Sequence, residues 1–301
     1  MEFQSGAVRP IGSIEDGWNI IKDDYWTFFG MTLVTIIILV VAAVILGAIN
    51  NAITFGISTV LGIASSSSGD AAKISAAVLP QLISMVISIF TNIIVGAVSG
   101  AFFCGIYAAL SRKANSGVAD FSDLFAGFKK ITSCLIVATV LSLIQFVIGV
   151  VALLGAAALG VSALGMGMLV KYGQLNPAAF GGILLIALVF VVITMVVNLI
   201  ISALTTFAYP LIADRNLSGG AALMLSIKSG FANLGGLVLL LFLLGLIAFG
   251  GILVCFIGVL FVAPIITAAL FAAYQSVFGR TGGFYQHTPP PPPIFNNQPG
   301  Y

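Results

Sequence analysis

The chain has 301 residues, of which 60% are hydrophobic and 7% charged, with a formal net charge of +2 and a mean hydropathy of +1.20. A soluble domain carries about 25% charged residues, and a chain this poor in charge cannot clothe a solvated surface. Composition therefore excludes a soluble enzyme, a disordered chain and a nucleic-acid-binding protein, and leaves a multi-pass membrane protein.

The charges are separated by long neutral stretches at 25–69, 74–111, 131–170, 172–213 and 229–279. Each exceeds the ~20 residues that a helix needs to cross ~30 Å of hydrocarbon. The stretches are continuously apolar and do not alternate, so helices and not barrel strands are expected. Residues 13–24 read as a short interfacial helix. Ser13 stands at an N-cap position, and Ile14, Trp18 and Ile21 share one face. Tyr25, Trp26, Phe28 and Phe29 form an aromatic belt at a first span over 27–49. That run is longer than a signal-peptide core and is expected to remain as a span.

A Gly- and Ser-rich region, 50–77, follows; its apolar part, 52–64, is too short to cross alone. A second span is expected after Pro80, over 81–108. Phe121, Leu124, Phe125 and Phe128 place a second interfacial helix within 111–130. A third span over 131–154 is followed by a second short Gly-rich segment, 155–170. The fourth span runs from Gly182 to Tyr209. A third interfacial segment, 211–228, leads through Leu223 and Ile227 toward Phe231. The stretch 229–279 accommodates two crossings, joined near Gly250-Gly251 or Gly258. Residues 284–301, with Pro at every position from 289 to 293, are expected to form a mobile Pro-rich tail.

The expected fold is all-α and polytopic: six transmembrane helices as three helical hairpins, each preceded by a cytoplasmic interfacial helix, in one integral membrane domain over 1–283. Every Lys and Arg except Lys73 and Lys171 falls in the termini, 111–130 or 211–228. Positive-inside bias places both termini in the cytoplasm, and an even number of spans agrees.

The helix exits repeat. Tyr107 precedes Lys113 and Ser116-Gly117; Tyr209 precedes Arg215 and Ser218-Gly219; Tyr274 precedes Arg280 and Thr281-Gly282. A Tyr followed by a cation suits any helix leaving a bilayer on its cytoplasmic side. The shared six-residue spacing goes further, toward three parallel repeats over 13–117, 118–219 and 220–283. The entries GWNIIKDDYWTFFG, GFKKITSCL and SIKSGFANLGGL match more loosely.

The run YPLIADRNLSGGAALMLSIKSGFANLGGLVLL, continuing to GVLFVAPIITAALFAAYQSVFG, resembles a family of uncharacterised bacterial multi-pass integral membrane proteins. The opening I-x-x-G-W-N-I-I-K-x-x-Y-W looks like theirs too. More loosely, the layout is similar to the membrane domain of some bacterial glycerophosphodiester phosphodiesterases. The clearest match covers about the last hundred residues. It implies a fold type and an inner-membrane setting; without a catalytic phosphodiesterase domain in the sequence, that activity is not implied.

Residues able to carry chemistry are few. The single histidine, His287, lies in the Pro-rich tail. No Asp, Glu, Lys or Arg falls within an assigned span, where pumps and intramembrane proteases need them. Asn92, Gln145, Asn198 and Thr194 read as interhelical hydrogen-bonding groups worth about 1 kcal/mol each, or else as the lining of a polar path. Gly96, Gly100, Cys104 and Ala108, at steps of four, make a helix-packing stripe expected to serve a neighbouring span. Cys104, Cys134 and Cys255 read as small buried hydrophobes. Pro210 and Pro264 are expected to kink or end their helices. Asp214 and Arg215 read as a surface pair with Lys228 or lipid headgroups. The acidic residues Glu15, Asp16, Asp23 and Asp24 are expected to face the basic 111–130 segment, Lys129 and Lys130 in particular, because an anionic leaflet disfavours them.

No catalytic residue, cofactor or metal is expected, nor an enzymatic activity. The expected role is a non-enzymatic inner-membrane protein that organises or assists other membrane components, with the lipid bilayer and other membrane proteins as partners and no nucleic acid. The alternative is a passive transporter of lipid or small solute, with the two Gly-rich outer segments as re-entrant gates.

Overall fold

The computed structural model describes residues 3–65, 70–158, 177–254 and 257–279. These residues are helical throughout apart from short connections, and no strand occurs among them. Six helices are long and apolar enough to cross a membrane: α2 (Tyr25–Ser65), α3 (Asp70–Ser116), α5 (Ile131–Ala158), α6 (Pro177–Thr205), α9 (Leu234–Leu253) and α10 (Ile257–Phe278). Four shorter helices accompany them among the described residues: α1 (Pro10–Ile21), α4 (Asp123–Ala126), α7 (Ala208–Arg215) and α8 (Gly219–Ala232). Single 3-10 turns, Lys22–Asp24 and Gly127–Lys130, lead into α2 and α5.

The spans form a ring. α2 packs on α3, α3 on α5, α6 on α9, α9 on α10 and α10 back on α2, with a thinner contact closing α5 to α6. Each short helical entry lies against a span already passed, or last in the chain: α1 on α10, α4 and its 3-10 turn on α3, α8 on α6.

A glycine sets each of these three crossings. A Cβ on Gly17 would stand 2.5 Å from the Ala269 nitrogen, and one on Gly230 2.9 Å from Leu204 Cα. A Cβ on Gly127 would overlap the Ala101 carbonyl. Real side chains do not approach so closely, so only glycine lets the backbones touch there. The span residues that receive these glycines, Ala101, Ala203 and Ala268, are fully buried. Each stands six residues before an exit tyrosine, Tyr107, Tyr209 or Tyr274.

The core sits at the end of the bundle where the chain starts. There the Gln4 amide donates to Val277 O at 2.9 Å, and Asn233 both donates to Gln4 O at 3.0 Å and accepts from the Ala7 amide at 2.8 Å. The largest buried side chains collect at this proximal end: Phe28, Met31, Ile106, Phe207, Phe271, Tyr274 and Phe278. Toward the distal end the spans expose Ile, Val and Phe broadly, as at Val44, Phe90, Val147 and Leu188. Such faces suit lipid, which is as apolar as they are.

Several boundaries differ from expectation. Ser13 is not a cap: Pro10 opens α1, Arg9 is its N-cap, and Ser13 is buried within it. The segment 52–64 does not fold back but continues α2, whose 41 residues span about 60 Å at 1.5 Å per residue. Nothing in it breaks a helix, since isolated glycines only weaken one. α3 likewise begins before Pro80, which it contains, and runs for 47 residues, about 70 Å. Both exceed the ~30 Å hydrocarbon core about twofold. The second interfacial helix is only α4 and a 3-10 turn, because α3 extends to Ser116.

Pro210 goes with a break: α6 stops at Thr205 and α7 restarts at Ala208, so the carbonyl four residues before Pro210, which its missing N–H cannot satisfy, falls in the turn between them. Pro264 lies inside α10, which continues through it. The turn between α9 and α10 begins at Val254, between Gly251 and Gly258, whose backbones pack on each other. Residues 159–170 of the second Gly-rich segment, Lys171, Cys255, Arg280, His287 and the tail 284–301 lie outside the described residues.

Candidate functional site

Two polar clusters stand out, one at the proximal end and one on the flank. The proximal cluster centres on Asp214. α7 is placed by Ser226 of α8, whose hydroxyl donates to Leu204 O at 2.8 Å and accepts from the Phe207 amide at 3.1 Å. This bridges the break between α6 and α7. Asn216 in the left-handed region (φ 54°) ends α7.

The Asp214 side chain is 4% exposed. Its carboxylate accepts from Ser111 Oγ of α3 at 2.6 Å and from Tyr274 OH of α10 at 2.8 Å, with Arg215 Nε at 3.4 Å. Arg215 Nη2 donates to Phe278 O at 2.8 Å and Gly279 O at 3.4 Å, closing the end of α10. Lys130 Nζ donates to Ile212 O at 2.9 Å and Ala213 O at 2.7 Å, near the end of α7. Cations at helix C-termini satisfy the orphan carbonyls and suit the helix dipole. The surface pair expected of Asp214 and Arg215 is therefore corrected. With Lys130 they form a buried clamp joining α3, α7, the Gly127–Lys130 turn and α10.

The acidic entry meets the basic segment at one point. Asp24 Oδ2 lies 2.5 Å from Lys113 Nζ, which also donates to Gly117 O at 2.8 Å. Lys130, expected opposite the acidic residues, is engaged with the α7 carbonyls instead. Arg112 pairs with Asp123 at 3.1 Å. The Ser122 amide donates to Asp120 at 3.0 Å, and bonds from Ser122 hold the Asp120 carboxyl below the usual carboxylate range.

The exit tyrosines face inward and not toward headgroups. Tyr107 is buried and stacks with Phe271 at 6.3 Å between centroids; Tyr274 is buried against Phe207, Phe271 and Phe278. Tyr209, half-buried, lies against Phe103 and over Gly100.

The stripe Gly96, Gly100, Cys104 and Ala108 runs along the α3 face toward α5 and α7. A Cβ on Gly96 would reach Ala138 Cβ at 3.0 Å, and one on Gly100 would stand 2.5 Å from Tyr209 Cε1. Cys104 Sγ lies 3.5 Å from Cys134 Sγ and 3.6 Å from Tyr209 O. Ala108 is half-buried one turn further on.

The flank cluster lies farther along the spans. Gln145 Nε2 of α5 donates to Asn198 Oδ1 of α6 at 3.0 Å, and Asn198 Nδ2 donates to Thr194 O at 2.9 Å. Thr194 Oγ1 in turn donates to Phe190 O at 2.9 Å. Asn92, Ser88, Ser142 and Gln145 line a groove of about 180 Å³ between α3 and α5. Asn92 and Gln145 are both exposed. Sequence reasoning names Asn92, Gln145, Asn198 and Thr194, and the structure brings the four onto adjoining spans. It misses Ser88 and Ser142, each one turn or less from a named amide on its own helix. It also misses Ser111 and Asn233; the sequence carries no periodic signal for either.

Among the described residues no group of three or more His, Cys, Asp or Glu side chains is placed to hold a metal ion. No family model matches the chain, and no curated protein or solved structure matches it.

Proposed function

We propose that this chain is a non-enzymatic protein of the bacterial inner membrane, with both termini in the cytoplasm, that organises other membrane proteins by receiving their spanning helices on its flank. In this reading it consists of three parallel repeats, each an interfacial entry followed by a helical hairpin. The cyclic contacts of α1 with α10, α4 with α3 and α8 with α6 support the repeat. So do the glycines Gly17, Gly127 and Gly230, each set on a span six residues before its exit tyrosine. The proximal clamp of Asp214, Arg215 and Lys130 gives a rigid cytoplasmic platform, and the distal half stays open to lipid.

The observation that carries the role is the line of amides Asn92, Gln145 and Asn198 on a flank whose other polar groups at the groove are Ser88 and Ser142. Gln145 and Asn198 bond to each other, whereas Asn92 makes no side-chain hydrogen bond among the described residues; such an amide costs free energy in hydrocarbon, and a polar side chain on an incoming helix would satisfy it at about 1 kcal/mol. A benzophenone amino acid at Asn92 or Val147 of the full chain in its native membrane tests this. Discrete protein adducts are the expected result, and their loss in the Gln145→Leu variant would tie them to the amides. Lipid adducts alone would sink the reading.

That last outcome would favour the second reading, a passive path for lipid or small solute, which the α3–α5 groove supports. The re-entrant gate that this reading placed at 52–64 is replaced by a continuous helix, so the groove would have to serve by itself.

A further inference from the structure

A separate cavity opens where α1 crosses α10. Its volume is about 360 Å³, and Asp16, Asn19, Ile20, Ala272, Gln275 and Ser276 line it. Gly17 brings the two backbones together at Ala268 and Ala269. The cavity lies beside that contact, lined from α1 by residues on either side of Gly17 and from α10 by the two turns after Ala269. Asp16 and Asn19 are one turn apart on α1, and Gln275 stands one turn beyond Ala272 on α10.

The one charge of this lining is negative. Asp16 brings a carboxylate, Asn19 and Gln275 bring amides, each with an acceptor oxygen beside its NH2, and Ser276 brings a hydroxyl whose proton already goes to Ala273 O at 2.7 Å, leaving its oxygen as an acceptor. Among the described residues, Asp16 has no ion-pair partner, and the Asn19 and Gln275 amides make no side-chain hydrogen bond to the protein. A charge with several acceptors around it is complementary to a group that only donates: an ammonium has three donors and no acceptor. The lining holds no aromatic ring, so it lacks the cage by which quaternary ammonium groups are bound. The site therefore suits a primary amine over a trimethylated one. Lys22, three residues past Asn19 and exposed, adds a cation of the kind that a neighbouring phosphate requires.

We propose that the α1–α10 cleft binds a primary ammonium group, the chemistry carried by an ethanolamine phospholipid headgroup. The same group could come from a free soluble amine, and the two sources are separable. In the proposed topology α1 and the end of α10 lie at the cytoplasmic interface, which is headgroup depth.

The full chain, placed in nanodiscs containing ethanolamine and choline lipids in equal amounts with an anionic lipid, is extracted gently, and the lipids retained are counted by native mass spectrometry. Retention of the ethanolamine lipid over the choline lipid by about fivefold or more is expected, the scale of one charge-assisted hydrogen bond. Asp16→Asn and Gln275→Leu should each remove the preference, whereas Glu15→Gln, one residue from Asp16 but outside the lining, should keep it. Asp16 is exposed, so its amide variant should fold; equal melting temperatures check this. If free ethanolamine binds in a calorimeter to the wild type but not to Asp16→Asn, while no lipid preference appears, the ammonium site stands with a soluble ligand. Equal retention of both lipids together with no binding of free ethanolamine overturns the proposal.

Discussion

The glycine crossings make the sharpest prediction about stability. At an open helical position, replacing Gly by Ala gains about 1 kcal/mol of helix propensity. Gly235 in α9 is such a position, with nothing within 4 Å of an added methyl. At Gly17 the added methyl would stand 2.5 Å from the Ala269 nitrogen and 2.7 Å from its Cα. These are backbone atoms of a helix packed on several others, so they cannot swing aside as a side chain would. Overpacking of this kind costs about 1–3 kcal/mol, and backbone contact argues for the upper end. Gly17→Ala should thus lose about 2 kcal/mol net where Gly235→Ala gains about 1 kcal/mol. At roughly 2 °C per kcal/mol for a chain of this size, the two variants should differ by about 6 °C in melting temperature. Gly127→Ala should be worse than Gly17→Ala, since its methyl overlaps the Ala101 carbonyl, and Gly230→Ala milder, with its nearest atom at 2.9 Å. Fluorescence-detected size-exclusion chromatography after heating in mild detergent reads all four. Equal melting temperatures for Gly17→Ala and Gly235→Ala would refute the argument that these crossings require glycine.

Asp214→Ala should cost about 2–3 kcal/mol, because it leaves Ser111 and Tyr274 without their acceptor and Arg215 without its ion-pair neighbour; Asp214→Asn should cost less, and the same melting assay separates them. Reversing Lys113 to Glu should destabilise by less than about 1 kcal/mol, since Asp24 is partly exposed, and adding Asp24→Lys should recover most of the loss, as a double-mutant cycle would show. Asn233→Ala removes the amide that holds Gln4 and Ala7; a protease site inserted before Phe3 should then be cut faster, with a stability loss of about 1–2 kcal/mol. Gln145→Leu should alter stability by less than about 1 kcal/mol, so a large drop in melting temperature would mean that the amide serves packing more than partners.

How far the sequence can be read depends on which force sets each feature. Span number and approximate position are legible, because transfer into hydrocarbon is summed over ~20 residues and errors average out. The exit tyrosines are legible as a spacing, but the spacing alone suggests interfacial rings. Tyr274 is directed inward by Asp214, and that pairing joins residues sixty positions apart. Asp214 itself reads as exposed because a carboxylate beside an arginine at a helix end normally is. Its burial depends on Ser111 and Tyr274 converging from two other helices, which no local window contains. Lys130 reads as a partner for carboxylates because charge pairing is the default; the structure gives it carbonyls at the end of α7 instead. The amides Gln145 and Asn198 are found because any amide inside an apolar run is conspicuous. The interfacial glycines read only as loose entry matches, since glycine has no side chain to advertise what it touches.

Their role becomes plain from the way packing is driven in a bilayer. Between spans there is no hydrophobic effect, because a lipid tail is as good a neighbour as leucine. What holds helices together is close van der Waals contact and polar bonding, and both need small residues or polar ones. In this chain both kinds are concentrated at the proximal end: Gly17, Gly127 and Gly230 on the entries, Ala101, Ala203 and Ala268 on the spans, and the Asp214 clamp beyond them. The distal halves carry Ile, Val and Leu on most faces, as at Ile37 to Val44 and Leu188 to Val197. Those residues keep backbones apart and have no reason to prefer one another to lipid. A bundle tied at one end and open at the other follows from that distribution. It also explains why Asn92, Gln145 and Asn198, polar groups within the open part, are left partly accessible to whatever enters.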